Sequence, residues 1–324
     1  MVKLADEKTA QTKRATRAAF GPTLAQLADE GVPVVAVDAD LSGSTTTKKF
    51  AAANEEYAKR LFNTGIAEQN MIDVAAGLSL TGNIAYTGSF AVFGTGRTYD
   101  QIRNTVCYSK LNVKICPTHA GVSVGPDGGS HQMLEDVSLM RTLPNMKVLV
   151  PADYSAAASA IRLAANTPGP VYVRMGRAAV PCVYEEGCGL ELGKSYILRE
   201  GTDCTIIACG VEIREALAAA STLEAQGISV EVIDAFSIKP LDEETILASV
   251  AKTGCAVVAE EHSVYGGLCS AVSELLAQHN PTPCEFVAVK DVFGKSGEFE
   301  ELLKYFHLDA TAIVDAVKNA MQRK

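Results

Sequence analysis

Leu61-Phe62-Asn63-Thr64-Gly65-Ile66-Ala67-Glu68-Gln69-Asn70-Met71 decides how the rest of the chain is read. Its opening residues have an extended pattern, while Ile72, Ala75, Ala76 and Leu80 recur behind it at helical spacing, so Glu68 stands just past a strand end. Open parallel sheets keep their ligand crevices at such ends. Two readings of Glu68 are open. An acidic residue in a first helical turn complements the helix dipole and needs no further role. Alternatively, Ile66, Ala67 and Met71 bury the carboxyl so that it can share a proton with a ligand nitrogen. The downstream sequence turns the balance toward the second.

Outward from this stretch, strand-like and helix-like segments alternate at the spacing of βαβ units. A helical pattern over residues 14–28 leads through Gly31 into a strand at 32–37, which ends at Asp38-Ala39-Asp40. Leu41-Ser42-Gly43-Ser44-Thr45 is rich in small hydroxyl residues, which suit a helix N-cap first and anion binding second. A strand at 83–87 runs into Gly88-Ser89-Phe90-Ala91-Val92-Phe93-Gly94. Its two aromatics, three apart, serve equally as core or as a platform for a flat heteroaromatic ligand. The glycine-rich loop from His119 to His131 cannot be regular structure, yet it carries two imidazoles and Asp127. Arg174 closes a strand at 171–174.

The expected fold class is therefore α/β: a doubly wound, mostly parallel sheet over residues 1–185, followed by a smaller α/β domain over 186–324, joined through the glycine-rich stretch 176–201. The 324 residues are enough for two such cores. Composition excludes several function classes. A net charge of -9 with no dense Lys/Arg run argues against nucleic acid as a partner. Nine cysteines, an odd number with no Cys-x-x-Cys pair, argue for a reducing compartment. The N-terminus lacks the apolar core of a signal peptide, which makes a cytoplasmic location the expectation. No P-loop, dinucleotide fingerprint or structural-zinc spacing occurs, and no metal ligand is assigned to this chain.

Taken in order, Gly65-Ile-Ala-Glu68-Gln-Asn, Gly88-Ser-Phe90-x-x-Phe93, Thr118-His119, Gly125-Pro-Asp127-Gly-Gly-Ser-His131-Gln and Leu143-Pro-Asn-Met-Lys-Val-x-x-Pro151-Ala-Asp resemble the C-terminal half of transketolase. The resemblance runs from Ala15-Thr-Arg17 into a closing domain with Glu260-Glu-His-Ser-x-x-Gly-Gly, nearly the whole chain. It implies a pyrimidine-binding domain, a transketolase C-terminal domain and thiamine diphosphate as cofactor. Glu68 matches the glutamate that hydrogen-bonds the aminopyrimidine nitrogen, Phe90 and Phe93 the aromatics that pack on that ring, and Asp40 a cofactor-side carboxylate. His119, Arg174, Arg17 and Ser44 match the substrate phosphate site. Asp127 matches a contact to a sugar hydroxyl, and His131 a catalytic histidine beside the reacting carbonyl.

The sequence also departs from the family. Gly96 stands where many transketolases have a third aromatic, Ala120 where many have aspartate, and Pro126 and Gly129 are unusual in their motif; these bear on the sugar more than on the cofactor. The Gly-Asp-Gly motif that holds the diphosphate and a divalent metal, Mg or Ca, is missing. The resemblance thus implies a split transketolase in which an N-terminal partner subunit supplies that half, in a two-plus-two heterotetramer that moves a two-carbon ketol unit between sugar phosphates of the pentose phosphate pathway. Alternatives are half of a deoxyxylulose-phosphate synthase, which usually has arginine at the place of His119, a 2-oxo acid dehydrogenase β subunit, an enzyme for an unusual sugar, or a non-catalytic transketolase-like binding subunit.

Overall fold

The computed structural model describes residues 3–324; Met1 and Val2 of the N-terminal segment read above lie outside the described residues. Seven strands form the first sheet, in the spatial order Ser237–Lys239, Lys147–Leu149, Val171–Val173, Val113–Ile115, Ile84–Gly88, Val34–Asp38, Leu61–Asn63. Six run parallel; Ser237–Lys239 is antiparallel to Lys147–Leu149. Central strands such as Val34–Asp38 and Val171–Val173 are buried throughout, as strands covered by helices on both faces must be. Helices Phe20–Asp29 and Tyr154–Ala165 pack on one face and Glu68–Ser79 on the other.

The second sheet has the order Cys284–Val289, Ala256–Ser263, Cys204–Ala208, Val230–Asp234, Tyr196–Arg199, all parallel except the last strand. The fold is thus two mixed, mainly parallel α/β sheets, with one feature the sequence did not announce. Ser237–Lys239, well inside the second half of the chain, completes the edge of the first sheet. Its three residues are too short for a periodic signal, and the strand is set by its partners: Val150 N–H donates to Phe236 O at 2.9 Å, and Lys239 Nζ to the carbonyls of Arg141 and Leu143 at 2.8 and 2.6 Å.

Two further expectations change. The region read as one helix over 14–28 is a short strand Lys13–Ala15 paired with Ala179–Pro181, then a 3-10 turn, then helix Phe20–Asp29. The hydroxyl-rich stretch does not cap a helix: Thr45 and Thr47 Oγ1 both donate to the buried Asp38 Oδ2 at 2.9 Å, and Leu41 N–H donates to its Oδ1 at 2.6 Å. A carboxylate at a buried strand end needs these donors, because unpaired it would be too costly to desolvate.

Strand Val34–Asp38 is followed by the edge strand Leu61–Asn63 on one side, and the chain then returns to Ile84–Gly88 on the other. This reversal makes the carboxyl ends of Val34–Asp38 and Ile84–Gly88 the switch point of the sheet, where a crevice opens. Every site residue expected from the sequence follows the carboxyl end of a strand in this sheet, except Arg17, which precedes the first helix on it.

Asp153 ties the far end of this layer together. Its Oδ1 caps helix Tyr154–Ala165 through Ala156 N–H at 2.7 Å, and its Oδ2 accepts from the amides of Tyr184, at 2.8 Å, and Val183 in the connecting segment. Asp153→Ala removes a cap and strands buried amides, so we expect a loss of about 2–4 kcal/mol in urea unfolding. A loss under about 1 kcal/mol would show that the connection is held by other contacts.

Candidate active site

Gly65 turns the chain out of strand Leu61–Asn63 at φ 71°, where a side chain would be strained, with its N–H bonded to Asn63 Oδ1 at 2.9 Å. Helix Glu68–Ser79 begins three residues later. Glu68 is 3% exposed, yet Ile66, expected to cover it, points outward at 79% exposure. The turn at Gly65 carries Ile66 to the surface, and Met71, buried in the next turn of helix, is the expected neighbour that stays inside. Arg97, half exposed, donates to Glu68 Oε2 at 2.8 Å. Among the described residues no donor meets Oε1.

Phe90 and Phe93 lie on the other side of the switch point, with ring centroids 6.2 Å apart and planes 15° from parallel. Phe93 sits on a π-helical turn, Val92–Gly96, and a second π-helical stretch covers Ile102–Tyr108. Such turns are concentrated at functional sites and escape a search for 3.6-residue periodicity. His119 stacks on Phe90 at 3.8 Å, while His131 meets Phe93 edge-on at 5.4 Å. The two imidazoles and two phenyl rings form one continuous wall.

His119 adopts a left-handed backbone, φ 62°, fixed on both sides by bonds that join its loop to neighbouring strand ends: Ala91 N–H to Thr118 O at 2.7 Å and Ala120 N–H to Met175 O at 3.2 Å. Burial, reinforced by the positive charges of Arg17 and Arg177 and by His131, pushes its pKa down to about 3. The ring is neutral at working pH. Its Nδ1 is 2.6 Å from Thr118 Oγ1, and a hydroxyl that donates there leaves the proton on Nε2 as a hydrogen-bond donor.

The cations need a correction. Arg174, expected at the substrate phosphate, is buried within the protein. Its Nε and Nη2 reach both oxygens of Asp136 at 2.7 and 3.2 Å, and Nη2 also donates to Glu261 O at 2.9 Å. Burial opposes its charge, but Asp136 outweighs that and raises its pKa, so the guanidinium is fully committed. Three residues on, past Gly176, Arg177 places a second guanidinium beside Asp127 and Arg17. It is half-buried, donates to Val124 O and lies 3.8 Å from Asp127 Oδ1. Sequence reading missed it because either arginine can follow the strand; the signal lay in Gly176, which ends the apolar run that holds Arg174.

Arg17 joins this group. Its Nη1 donates to Ser44 O at 2.7 Å and its N–H to Gly176 O at 3.4 Å. Burial first and the nearby Arg177 second depress its pKa, while Asp127 works the other way. Two guanidiniums and a neutral imidazole held together, with one carboxylate at 3.8 Å, form a site for an anion. Asp40, in a left-handed conformation at φ 63°, exchanges hydrogen bonds with Asn63 at 3.2 and 3.3 Å on the Glu68 side of the crevice. No group of three or more metal-ligating side chains is arranged around a common point among the described residues.

A buried carboxylate with one oxygen free, a flat aromatic pair and an adjoining cationic corner suit a heterocycle bound beside an anionic substrate. The family descriptions "Transketolase, pyrimidine binding domain" and "Transketolase, C-terminal domain" match residues 12–183 and 193–313. The chain is 46% identical over 311 residues to a putative transketolase C-terminal section of Methanocaldococcus jannaschii, covering 95% of this chain and 96% of that one. It is 40% identical over 301 residues to a 6-deoxy-6-sulfo-D-fructose transketolase subunit of a Clostridium species, covering 93% and 92%. A solved structure described as a split gene transketolase, inactive β4 tetramer, superposes with a TM-score of 0.88 at 47% identity, over 96% of this chain and 99% of that one. The chain belongs to the transketolase family, carrying its pyrimidine-binding and C-terminal domains.

The two arginines can be told apart by experiment. Arg174→Ala leaves Asp136 buried and unpaired, and we expect about 3–5 kcal/mol of lost stability in urea unfolding. Arg177→Ala, at the edge of an open cleft, should change stability by less than about 1 kcal/mol. The reverse order would return the anion site to Arg174.

Proposed function

We propose that this chain is the C-terminal subunit of a split transketolase, active with an N-terminal partner that holds the diphosphate and divalent metal of thiamine diphosphate. The carrying observation is the convergence of Glu68, Phe90, Phe93, His119, His131, Arg17 and Arg177 on one crevice. Full-length similarity to chains described as a C-terminal section and a subunit supports the division of labour.

The residues present fit the cofactor's pyrimidine ring. Glu68 offers Oε1 to a ring nitrogen, and Phe90 and Phe93 offer a flat apolar platform. Thiamine diphosphate, when bound, supplies the carbon nucleophile for ketol transfer. The protein's part is to hold and orient. Glu68 fixes the ring and keeps a shared proton at its nitrogen, and Asp40 faces the same side. His119 donates from its neutral ring to substrate oxygen, and His131 stands beside the reacting carbonyl. Asp127 accepts from a sugar hydroxyl, while Arg17, Arg177 and the Ser44 segment receive the anionic terminus. A phosphate uses such paired guanidiniums fully. The same corner would accept a sulfonate, the group that the Clostridium relative's description names.

A Cβ at Gly96 would meet only Met133 Cε, at 3.8 Å, so the absence of an aromatic there leaves the cleft wider on that side. We read this as room for a sugar outside the common pentose and hexose phosphates. Nine free thiols, eight of them buried, fit a cytoplasmic home for the enzyme.

The test is to co-produce the chain with its N-terminal partner and follow thiamine-dependent ketol transfer from a ketose phosphate to an aldose phosphate. Glu68→Ala should lower kcat by about 100-fold or more. Arg177→Ala should raise the KM for the sugar phosphate about 10- to 100-fold and leave that for the cofactor unchanged. A Glu68→Ala complex within a few-fold of the parent would sink the assignment.

A further inference from the structure

We propose that Glu261, in the second sheet, is a positioning residue for the sugar site, its buried side chain anchoring the 121–127 loop that carries Asp127 and supports Arg177. The consequence for catalysis rests on the functional reading above; the anchoring does not. Glu261 lies on strand Ala256–Ser263, is 2% exposed and reaches across to the first domain, where its Oε1 accepts the N–H of Ser123. Gly121, at φ 82°, makes room for it: a Cβ there would lie 2.2 Å from the Glu261 carboxyl carbon.

The loop so held turns directly into the cleft. Val124 O is the acceptor for Arg177, and Asp127 closes the same turn. Its far side is also set by the second domain, since Gln132 Nε2 donates to Lys295 O at 2.9 Å and Gly128 packs against Ser296. Its own domain holds the loop through Gly121 N–H to Met133 O at 2.9 Å and Gln132 Nε2 to Val122 O at 3.1 Å, and the cross-domain contacts add a second set of ties. A glycine-rich loop has many alternative conformations, and an anchor of this kind selects one.

The anchor also titrates. Burial, partly offset by Arg174 and by the Ser123 N–H, pushes Glu261 up to about 7. The groups that face it are Arg174 and, behind it, Asp136 from the first domain, and Glu212 from helix Glu212–Glu224; Glu260 and His262, its neighbours on the strand, lie 3.8 Å from each other. A proton on the carboxyl weakens it as an acceptor and removes the charge facing Arg174. Sugar affinity should therefore fall as pH drops through about 7, with cofactor affinity unmoved.

Two variants test this. Glu261→Gln removes the charge at constant shape; Glu261→Asp keeps the charge beside Arg174 but withdraws the oxygen from Ser123 N–H, and carries the test if the first fails to fold. In the full chain bound to its partner, amide hydrogen exchange over residues 121–124 should quicken at least about 10-fold in both, while strand Cys204–Ala208 keeps its protection. Steady-state kinetics should show the sugar KM raised about 10-fold, kcat within about 3-fold, the cofactor KM unchanged, and a flatter pH dependence of the sugar KM in Glu261→Gln. Unchanged exchange at 121–124 overturns the anchor whether or not the complex is active. Altered exchange with an unmoved sugar KM overturns its role in the sugar site. A parent complex without ketol transfer would sink the functional reading alone, leaving exchange to decide the anchor.

Discussion

The buried pair of Arg174 and Asp136 is the constraint around which the two sheets meet. Arg174 is 7% exposed and Asp136 fully buried, Tyr172 donates its hydroxyl to Asp136 at 2.5 Å, and the guanidinium also serves the carbonyls of Met133 and Glu261. Burial disfavours both charges. The guanidinium nonetheless holds the Asp136 carboxyl below its usual range. A pair of this kind adds little net stability over an apolar equivalent, but breaking it is expensive. Its service here is geometric: one planar group joins the end of a first-sheet strand, helix Asp136–Thr142 and the backbone of the second sheet. The loop of His119 to His131 is strung between these fixed points, so the wall of the cleft inherits their rigidity.

The alternation of strands and helices was legible because buried parallel strands are continuous apolar runs, such as Val34-Val35-Ala36-Val37, and amphipathic helices carry their period openly. Elements that lack a period of their own stayed hidden. Ser237–Lys239 and Tyr196–Arg199 are edge strands fixed by tertiary partners, and the π-helical turns around Phe93 and Val106 break the spacing that a helix search assumes.

The candidate site shows the same division. Glu68, Phe90, Phe93, His119, Asp127 and His131 occur in compact motifs whose order is readable, and the structure gathers them on one crevice. Burial and direction are not readable in this way. Ile66 sits next to Glu68 in sequence and turns away from it in space, because Gly65 reverses the chain between strand and helix. Arg174 and Arg177 are equivalent to the eye, yet one meets a buried carboxylate and the other an open cleft. Only the identity of Asp136, nearly forty positions away, separates them.

The strand Ser237–Lys239 also bears on how the molecule is made. Lys147–Leu149, without it, would present the unpaired backbone groups of a sheet edge, the surface along which chains join one another. During synthesis that edge stays open until about ninety further residues have emerged, and it closes with a segment of the following domain. The two sheets are therefore not separable modules. A chain cut at the glycine-rich connection would release a first half with an adhesive border, because the strand that covers it belongs to the other half.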